Sequence, residues 1–179
     1  MDDFTLMRSL AEGDREALRV LYERHAEFVY RVAYRFLGSA EDARDITQSI
    51  FVTVAECAPG YRPEAKLTTW IYRVVVNRCL NHRAKASRRL RAYLSNRDFE
   101  ELPAPEEDAP DRVVGRTERR ARLLAAMQKL PERQRIAVIL SRFEGQTYQE
   151  IASALGCSKK SVESLLVRAR RSLAHHISE

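Results

Sequence analysis

The sequence predicts an all-α protein of two small helical domains, joined by a flexible acidic linker, with a helix-turn-helix in the C-terminal domain. Three observations predict this architecture. Apolar residues recur at helical spacing through most of the 179 residues. Glycine and proline number only six each, which disfavours a chain rich in strands and loops. The charged residues also fall into three blocks of different sign.

The charge blocks define the predicted domains. Residues 1–95 hold 16 Lys and Arg against 12 Asp and Glu, and residues 116–179 hold 13 against 6. Between them, residues 96–115 hold 2 against 7, together with Pro103, Pro105 and Pro110 and no helical apolar period. This composition predicts a flexible linker. Two basic domains on a tether suit a long polyanion, although ordinary solvated surface charge remains the alternative.

The first predicted helix begins after Asp14, a good N-cap, and ends at Gly38. Its apolar positions are Ala17, Leu18, Leu21, Tyr22, Phe28, Val29, Val32, Ala33 and Phe36. Ser39 to Asp42 resembles a capping box and begins a second helix, which Pro59 and Gly60 end. The buried face of that helix is predicted to contain Ala43, Ile46, Ile50, Phe51 and Val54.

A short polar loop, residues 61–66, precedes a third helix that starts near Leu67. Its apolar residues Trp70, Ile71, Val74 and Val75 are followed by five cations, Arg83, Lys85, Arg88, Arg89 and Arg91. Cations beside aromatic residues suit a partly unpaired nucleic-acid strand. Core packing plus solvated charge explains this pattern equally well.

The second domain shows sharper signals. A helix over Thr117 to Leu130 is predicted, and Pro131 fits the first turn of the next helix, which Gly145 ends. The apolar face of that next helix is Ile136, Ala137, Ile139, Leu140 and Phe143. Thr147 to Glu150 forms a capping box for a short helix that ends at Gly156, and Ser158 caps the final helix. This order predicts a helix-turn-helix.

The final helix has two distinct faces when it is projected at about 100° per residue. The predicted inner face is Val162, Leu165, Leu166, Ala169 and Leu173. The opposite ridge is Lys160, Ser164, Val167 and Arg171, flanked by Lys159, Glu163, Arg168 and Arg170. Such a ridge fits the major groove of DNA, where cations meet phosphates or guanine and valine meets a thymine methyl. An ordinary amphipathic helix with a solvated face is the alternative.

Six segments, in this order, resemble an extracytoplasmic-function (ECF) sigma factor of the sigma-70 family. DARDITQSIF (42–51) is similar to the family's core-polymerase-binding helix, and LTTWIYRVVVNRCL (67–80) to its promoter-melting and minus-10-reading helix. LPERQR (130–135), FEGQTYQEIA (143–152), LGCS (155–158) and RARR (168–171) are similar to its minus-35 domain. The resemblance covers nearly the whole chain except the linker.

The resemblance implies a protein that binds core RNA polymerase, reads the minus-35 and minus-10 promoter elements and helps to melt the duplex. Residues 1–95 correspond to sigma region 2 and residues 116–179 to sigma region 4. The loop Pro59–Lys66 corresponds to the segment that captures a flipped base of the minus-10 strand. An anti-sigma factor is implied as a further partner, which occludes these surfaces until a signal releases it.

The same resemblance, together with the patterns above, assigns the candidate binding residues. Those for core polymerase are Asp42, Asp45, Gln48 and Ser49. Those for minus-10 DNA are Tyr61, Arg62, Lys66, Trp70, Arg73, Asn77, Arg83, Lys85 and Arg88. Those for minus-35 DNA are Ser158, Lys159, Lys160, Glu163, Ser164, Val167, Arg168 and Arg171.

Two residues of the recognition helix depart from the family pattern. Glu163 places an acid where lysine is common, and Leu165 replaces a common arginine. Glu163 can accept a hydrogen bond from a cytosine amino group, or repel phosphate. The preferred minus-35 sequence therefore does not follow from the resemblance.

The sequence contains few signals for catalysis or for the binding of a metal or cofactor. Cys57, Cys79 and Cys157 lack metal-ligand spacing, and Cys157 is expected to pack in the core rather than sense redox. We find no phosphate loop, dinucleotide-binding turn or nucleophile elbow, so neither an enzyme nor a cofactor is expected. The N-terminus lacks a signal peptide and no apolar run is longer than Ile136 to Leu140, which predicts a cytoplasmic protein without membrane insertion.

Two other classes of protein remain compatible with the residue patterns alone. A ligand-sensing, dimeric helix-turn-helix regulator predicts palindromic sites and DNA binding without polymerase. A protein-interaction adaptor predicts no DNA contact. The match to the polymerase-binding helix separates the sigma-factor interpretation from both.

Overall fold

The computed structural model describes residues 1–62, 66–95 and 116–178, and within these ranges it contains helices and no strand. The α-helices are α1 (Asp3–Ala11), α2 (Arg15–Leu37), α3 (Ala40–Cys57), α4 (Leu67–Ser95), α5 (Arg116–Gln128), α6 (Glu132–Val138), α7 (Tyr148–Leu155) and α8 (Lys159–Ser178). The all-α prediction is confirmed. The predicted linker, residues 96–115, lies outside the described residues.

The first helix, α1, was not predicted from the sequence. The Asp2 carboxylate caps it by accepting a hydrogen bond from the Thr5 amide at 2.7 Å, and Leu6 and Met7 are buried beneath it. An Asp3 carboxylate oxygen lies 3.0 Å from His25 Nε2, which ties α1 to α2. The N-cap and the apolar pair were visible in the sequence, but nine residues are too few for a clear helical period.

The predicted caps of α2 and α3 are present. Asp14 accepts from the Glu16 amide at 2.9 Å, and Gly38 ends α2 with a φ of 79°. This left-handed conformation favours glycine, and a Cβ at Gly38 would also lie only 3.3 Å from the Gln128 side chain. Ser39 accepts from the Asp42 amide at 3.2 Å and begins α3. The antiparallel pair that results buries Leu21, Val29 and Phe36.

The helix after Pro131 differs from the prediction. Pro131 is the N-cap residue before α6 rather than part of its first turn, and α6 passes at Ile139 into a π-helical segment, Ile139–Phe143. In that segment the Glu144 amide donates to the Ile139 carbonyl, five residues back. An apolar pattern does not distinguish this wider turn from an α-helix. Gly145 follows with a φ of 64°, as predicted.

The helix-turn-helix is formed by α7 and α8 with the caps that the sequence indicated. Thr147 and Glu150 form a reciprocal capping box at the start of α7, and Gly156 ends α7 in the left-handed conformation. The Ser158 hydroxyl accepts from the Ser161 amide at 3.1 Å and fixes the start of α8. These local bonds set the angle at which α8 leaves the turn.

The N-terminal helices α1–α4 and the C-terminal helices α5–α8 pack against each other. Helix α7 lies on α4, and α5 and α6 lie against the C-terminal part of α2. Buried side chains of both groups form one apolar cluster, which includes Phe36 and Ile71 on one side and Ile139 and Ile151 on the other. Two tethered domains were predicted, but this docking was not.

Candidate nucleic-acid interface

The outer ridge of α8 is exposed, as its periodicity predicted. Lys160, Ser164, Val167 and Arg171 all face solvent, and Val167 retains 46 % exposure although it is apolar. On the other side, Val162, Leu166 and Ala169 are buried against α6 and α7. Leu165, predicted to face inward, is only half-buried. Helix α8 therefore presents a continuous ridge of basic, small and apolar groups.

A groove of about 850 Å³ runs between the start of α6 and α8. Of the predicted minus-35 residues, Ser158, Lys160, Ser164 and Arg168 line it. Lys159, Glu163, Val167 and Arg171 are exposed on α8 but are not among its lining residues. The half-buried Leu165 lines the groove as well and contributes an apolar group to its wall.

The sequence interpretation missed the contribution of α6 to this groove. Glu132, Arg133 and Gln134 line it opposite α8. Arg133 Nη2 donates to the Leu155 carbonyl at 2.9 Å and so satisfies the last turn of α7. Pro131 had marked a helix start here, but the sequence does not reveal that this start lies beside α8.

An exposed stripe follows one side of α3. Asp45 and Gln48 are exposed on it, as is Val52, whose side chain was not predicted to be functional and is 56 % exposed. The other two predicted polymerase-binding residues have partners within the protein: Asp42 Oδ1 lies 3.2 Å from His82 Nε2, and the Ser49 hydroxyl donates to the Ile46 carbonyl at 2.9 Å. The stripe therefore includes Asp45, Gln48 and Val52, and the exposed residues Glu41 and Arg44 lie on the same side of α3.

Tyr22 was predicted to be buried, but its side chain lies at the surface beside α3. It is 44 % exposed, and its ring packs on Phe51 with 4.7 Å between the ring centroids. Phe51 is buried, as predicted. The apolar positions of α2 thus include one residue, Tyr22, that lies at the edge of the core. At this position its hydroxyl can remain in contact with water.

The predicted minus-10 residues lie in three places rather than in one site. The first is the loop before α4, where Tyr61 meets Trp70 edge to face with 6.3 Å between ring centroids. Burial, together with the nearby Asp3 charge, raises the pKa of Tyr61. Arg62 and Lys66 are exposed beside this pair.

The second place is a cleft of about 580 Å³ between α3 and α4. It brings together the predicted residues Asn77, Lys85 and Arg88 with Ser49, and also Arg78, Asn81 and His82, which the sequence interpretation missed. The spacing of Arg78, Asn81 and His82 from Lys85 places them on the same side of α4, so this spacing could have identified them from the sequence. Most of the polar groups of this cleft are cationic or amide groups, which suit a phosphate-sugar backbone.

The third place is the side of α4 that faces the C-terminal helices. Arg73 donates from Nη2 to the Ser153 hydroxyl at 3.1 Å and from Nε to the Ser153 carbonyl at 3.3 Å. Arg83 is half-buried near Arg135, whose pKa it helps to lower after the larger effect of burial. Arg73 is therefore hydrogen-bonded to α7 although it remains exposed to solvent, and Arg83 lies close to a second cation.

The cysteines do not form a site in the described part of the chain. Cys79 is buried, and burial raises the pKa of its thiol to about 12, which keeps it protonated and unreactive. Cys157 is half-buried at the turn before α8, which agrees only in part with the expected core position, and Cys57 is exposed. No group of metal-ligating side chains occurs among the residues described. None of the described helices is both long enough and apolar enough to cross a membrane.

Comparison with known proteins places both groups of helices in one family. The family model described as Sigma-70 region 2 matches residues 21–89, and the model described as Sigma-70, region 4 matches residues 120–173. These matches contain α3, most of α4 and the helix-turn-helix.

Several curated relatives match nearly the whole chain. The ECF RNA polymerase sigma factor SigE of Mycolicibacterium smegmatis is 33% identical over 172 residues, which cover 94% of this chain and 66% of the relative. The RNA polymerase sigma-H factor of Pseudomonas aeruginosa is 28% identical and is covered to 91%. The ECF RNA polymerase sigma-E factor of Escherichia coli K12 is 26% identical and is covered to 95%; these matches cover 96% and 99% of this chain.

Two solved structures share the fold. The structure of CnrH in complex with the cytosolic domain of CnrY matches with a TM-score of 0.69 at 23% identity, covering 98% of this chain and 97% of that one. The sigma factor RpoE in complex with the anti-sigma factor NepR from Bartonella quintana also gives 0.69, at 18% identity, covering 89% and 96%. Both sigma-70 regions are matched in order, and ECF sigma factors are related to this chain over almost its full length. The chain therefore belongs to the sigma-70 family and is an RNA polymerase sigma factor of the ECF type.

Proposed function

We propose that residues 1–95 bind core RNA polymerase and open the minus-10 element, and that residues 116–179 read the minus-35 element. One observation carries this division of labour. The exposed stripe of α3 and the exposed ridge of α8 lie in different family regions of the same chain. A dimeric, ligand-sensing regulator is not favoured, because such a regulator would not need a helix that binds polymerase.

Transcription in vitro with core polymerase tests the proposal. We expect promoter-directed transcripts from a randomised promoter library only when core polymerase and this protein are both present. Sequencing the templates of those transcripts should yield two conserved elements. Specific duplex binding by the protein alone, at palindromic sites and with no transcript, would instead support the dimeric regulator.

The α3 stripe is proposed to dock on the polymerase. Asp45→Ala together with Gln48→Ala should weaken binding to core polymerase by about tenfold or more, since each polar contact to a charged or polar partner contributes roughly 0.5–3 kcal/mol. Neither side chain is in the core, so the thermal unfolding midpoint should not change. The measurement is a titration of labelled protein with core polymerase.

A control lies outside helices α1–α4. Lys129 is exposed between α5 and α6, and Lys129→Ala removes a charged side chain without touching the stripe. It should leave the affinity for core polymerase close to that of the natural sequence. Equal affinities for the double variant and this control would contradict the assignment of the stripe.

Tyr61 is proposed to stack on an unpaired minus-10 base at the loop before α4. Stacking on an aromatic ring contributes about 1–3 kcal/mol per base. Tyr61→Ala should therefore slow promoter opening, whereas Tyr61→Phe keeps the ring and should retain it. Permanganate reactivity of unpaired thymines in the polymerase–promoter complex measures the opening. Equal promoter opening by both variants would show that this loop only connects two helices and does not capture a base.

Further properties of the chain follow from the same proposal. An anti-sigma factor is proposed as a partner, because the solved RpoE with the same fold is bound to one. The protein is proposed to act in the cytoplasm, where bacterial RNA polymerase works. No catalytic step is assigned to its own side chains, since a sigma factor acts by positioning polymerase and DNA.

A further inference from the structure

Helix α1 lies against the turn that immediately precedes Tyr61. The chain leaves α3 through a 3₁₀ turn, Ala58–Gly60, which packs on α1 and is closed by a hydrogen bond of 3.2 Å from the Tyr61 amide to the Ala58 carbonyl. Ala58 is buried, and so are Leu6 and Met7 of α1. The position of α1 therefore sets the position of this turn.

One carboxylate fastens α1 to α2. Asp3 Oδ2 lies 3.0 Å from His25 Nε2, and Asp3 Oδ1 accepts from Arg24 Nη1 at 3.1 Å. The side chain of His25 is only 9 % exposed, whereas that of Arg24 is 40 % exposed. Because water and salt weaken exposed pairs, the contact with His25 is the one that holds α1 in place.

A row of aromatic rings continues from His25 to α4. The His25 ring meets Phe28 edge to face with 5.7 Å between ring centroids, and Phe28 packs on Tyr72 of α4 at 4.9 Å. Tyr72 stands two positions after Trp70, whose ring meets Tyr61 edge to face. The support of Tyr61, through α1, and the support of Trp70, through α4, therefore meet at His25.

The charge of Asp3 is close enough to affect Tyr61. Burial, and after it the Asp3 charge, raises the pKa of the Tyr61 phenol. A negative charge beside a surface that binds DNA repels phosphates and by itself weakens binding. An effect of Asp3 on alignment therefore has the opposite sign from its effect as a charge, and the two can be separated by experiment.

We propose that Asp3 and His25 are positioning residues for minus-10 recognition, whose contact holds α1 against the 3₁₀ turn and so sets the geometry in which Tyr61 and Trp70 receive an unpaired base. The inference rests on the proposed function, since it concerns the same Tyr61. Neither positioning residue needs to touch DNA. A pair of rings that is held in place before binding loses less entropy when a base stacks on it.

Two substitutions of Asp3 separate alignment from charge. Asp3→Ala removes the charge and the hydrogen bond, whereas Asp3→Asn removes the charge but keeps an amide that can bond to either tautomer of His25. Asp3→Ala should weaken binding of the reconstituted polymerase holoenzyme to a fork-junction DNA with an unpaired minus-10 strand by about fivefold or more. Asp3→Asn should bind at least as tightly as the natural protein. If Asp3 acts only as a charge, both variants should bind more tightly.

His25→Phe tests the other side of the contact. It keeps a ring that can pack on Phe28 and removes the polar contact, so it should weaken fork-junction binding by about the same factor as Asp3→Ala. The double variant should lose no more than either single variant, because both remove the same interaction. Additive losses would contradict the shared role.

Trp70 reports on the geometry in the free protein, without DNA or polymerase. It is the only tryptophan of the chain, so its fluorescence is specific to this pair of rings. Asp3→Ala and His25→Phe should shift its emission to longer wavelength, since Tyr61 moves away and water reaches the indole. Asp3→Asn should leave the emission unchanged.

Two controls make the test specific. Glu12 is an exposed carboxylate just after α1, and Glu12→Ala should change neither the emission nor the DNA affinity. The holoenzymes of all variants should bind a duplex that carries only the minus-35 element with the affinity of the natural protein, because α8 is not altered. Equal losses on this duplex and on the fork junction would indicate general damage and overturn the inference.

The outcomes also distinguish this inference from the proposed function. Unchanged Trp70 emission and unchanged fork-junction binding in Asp3→Ala and His25→Phe would overturn the positioning, whatever Tyr61 does. A shifted emission supports the positioning of the two rings. If the emission shifts but Tyr61→Ala opens promoters normally, the proposed base capture by Tyr61 is rejected instead.

Discussion

Replacing Arg135 by alanine is expected to lower the free energy of unfolding by at least about 3 kcal/mol. The side chain is 2 % exposed and donates to the carbonyls of Phe36, Gln128 and Leu130. Each buried carbonyl left without a donor costs roughly 1–3 kcal/mol. Burial lowers the pKa of Arg135 to about 10, so the side chain remains charged at neutral pH and its hydrogen bonds are charge-assisted.

Urea denaturation followed by circular dichroism measures this effect. Arg142 is exposed in the π-helical segment, and Arg142→Ala should shift the free energy of unfolding by no more than about 0.5 kcal/mol. Arg135→Lys keeps the charge but not the planar fork, so it should recover only part of the loss. A midpoint for Arg135→Ala equal to that of Arg142→Ala would show that the carbonyls find other donors.

The second large effect is expected on the ridge of α8. Lys160→Ala and Arg171→Ala should each weaken binding to a minus-35 duplex by roughly 1–3 kcal/mol if they contact bases. The two residues stand eleven positions apart, about 16 Å along the helix, so the losses should add in the double variant. Their sum would reduce the affinity by about 30-fold or more.

The dependence on salt distinguishes phosphate contacts from base contacts. A lost phosphate contact should weaken all duplexes alike and reduce the slope of log K against log salt by about 1. The measurement is binding of the polymerase holoenzyme to duplexes selected from a randomised library. Lys129→Ala removes an exposed lysine outside α8 and serves as the control. Affinities of the single variants that match this control would refute the assignment of the ridge.

The helix ends were predictable because the interactions that form them are local. Asp14, Ser39, the Thr147–Glu150 box and Ser158 bond to amides within a few residues, and the glycines at 38, 145 and 156 adopt positive φ values. Each of these signals is complete within a short segment. By contrast, α1 is short and the π-helical turn shares the apolar pattern of an α-helix, so neither was predicted.

The candidate surfaces were predictable in part. The exposed ridge of α8 follows from a period of 3.6 residues, and the exposure of Asp45 and Gln48 follows from the amphipathic pattern of α3. The wall of the groove formed by Glu132, Arg133 and Gln134 does not follow from either pattern, because it depends on where α6 lies relative to α8. The exposure of Tyr22 was not visible, since an apolar residue at helical spacing is ordinarily assigned to the core, whereas Val52 had already been left out of the predicted buried face.

The sequence by itself determined the helical class, the order of the helices from α2 onward, most of their caps and the resemblance to the family. The tertiary structure alone decided which charges are buried and which helix faces are covered. Arg135 finds the Phe36 carbonyl 99 positions away, and Glu144 finds Arg35 at a separation of 109 positions. No local periodicity specifies such pairs, because they form only after burial of apolar surface has brought the helices together. The docking of α7 on Arg73 is therefore a property of the packed molecule rather than of any single segment.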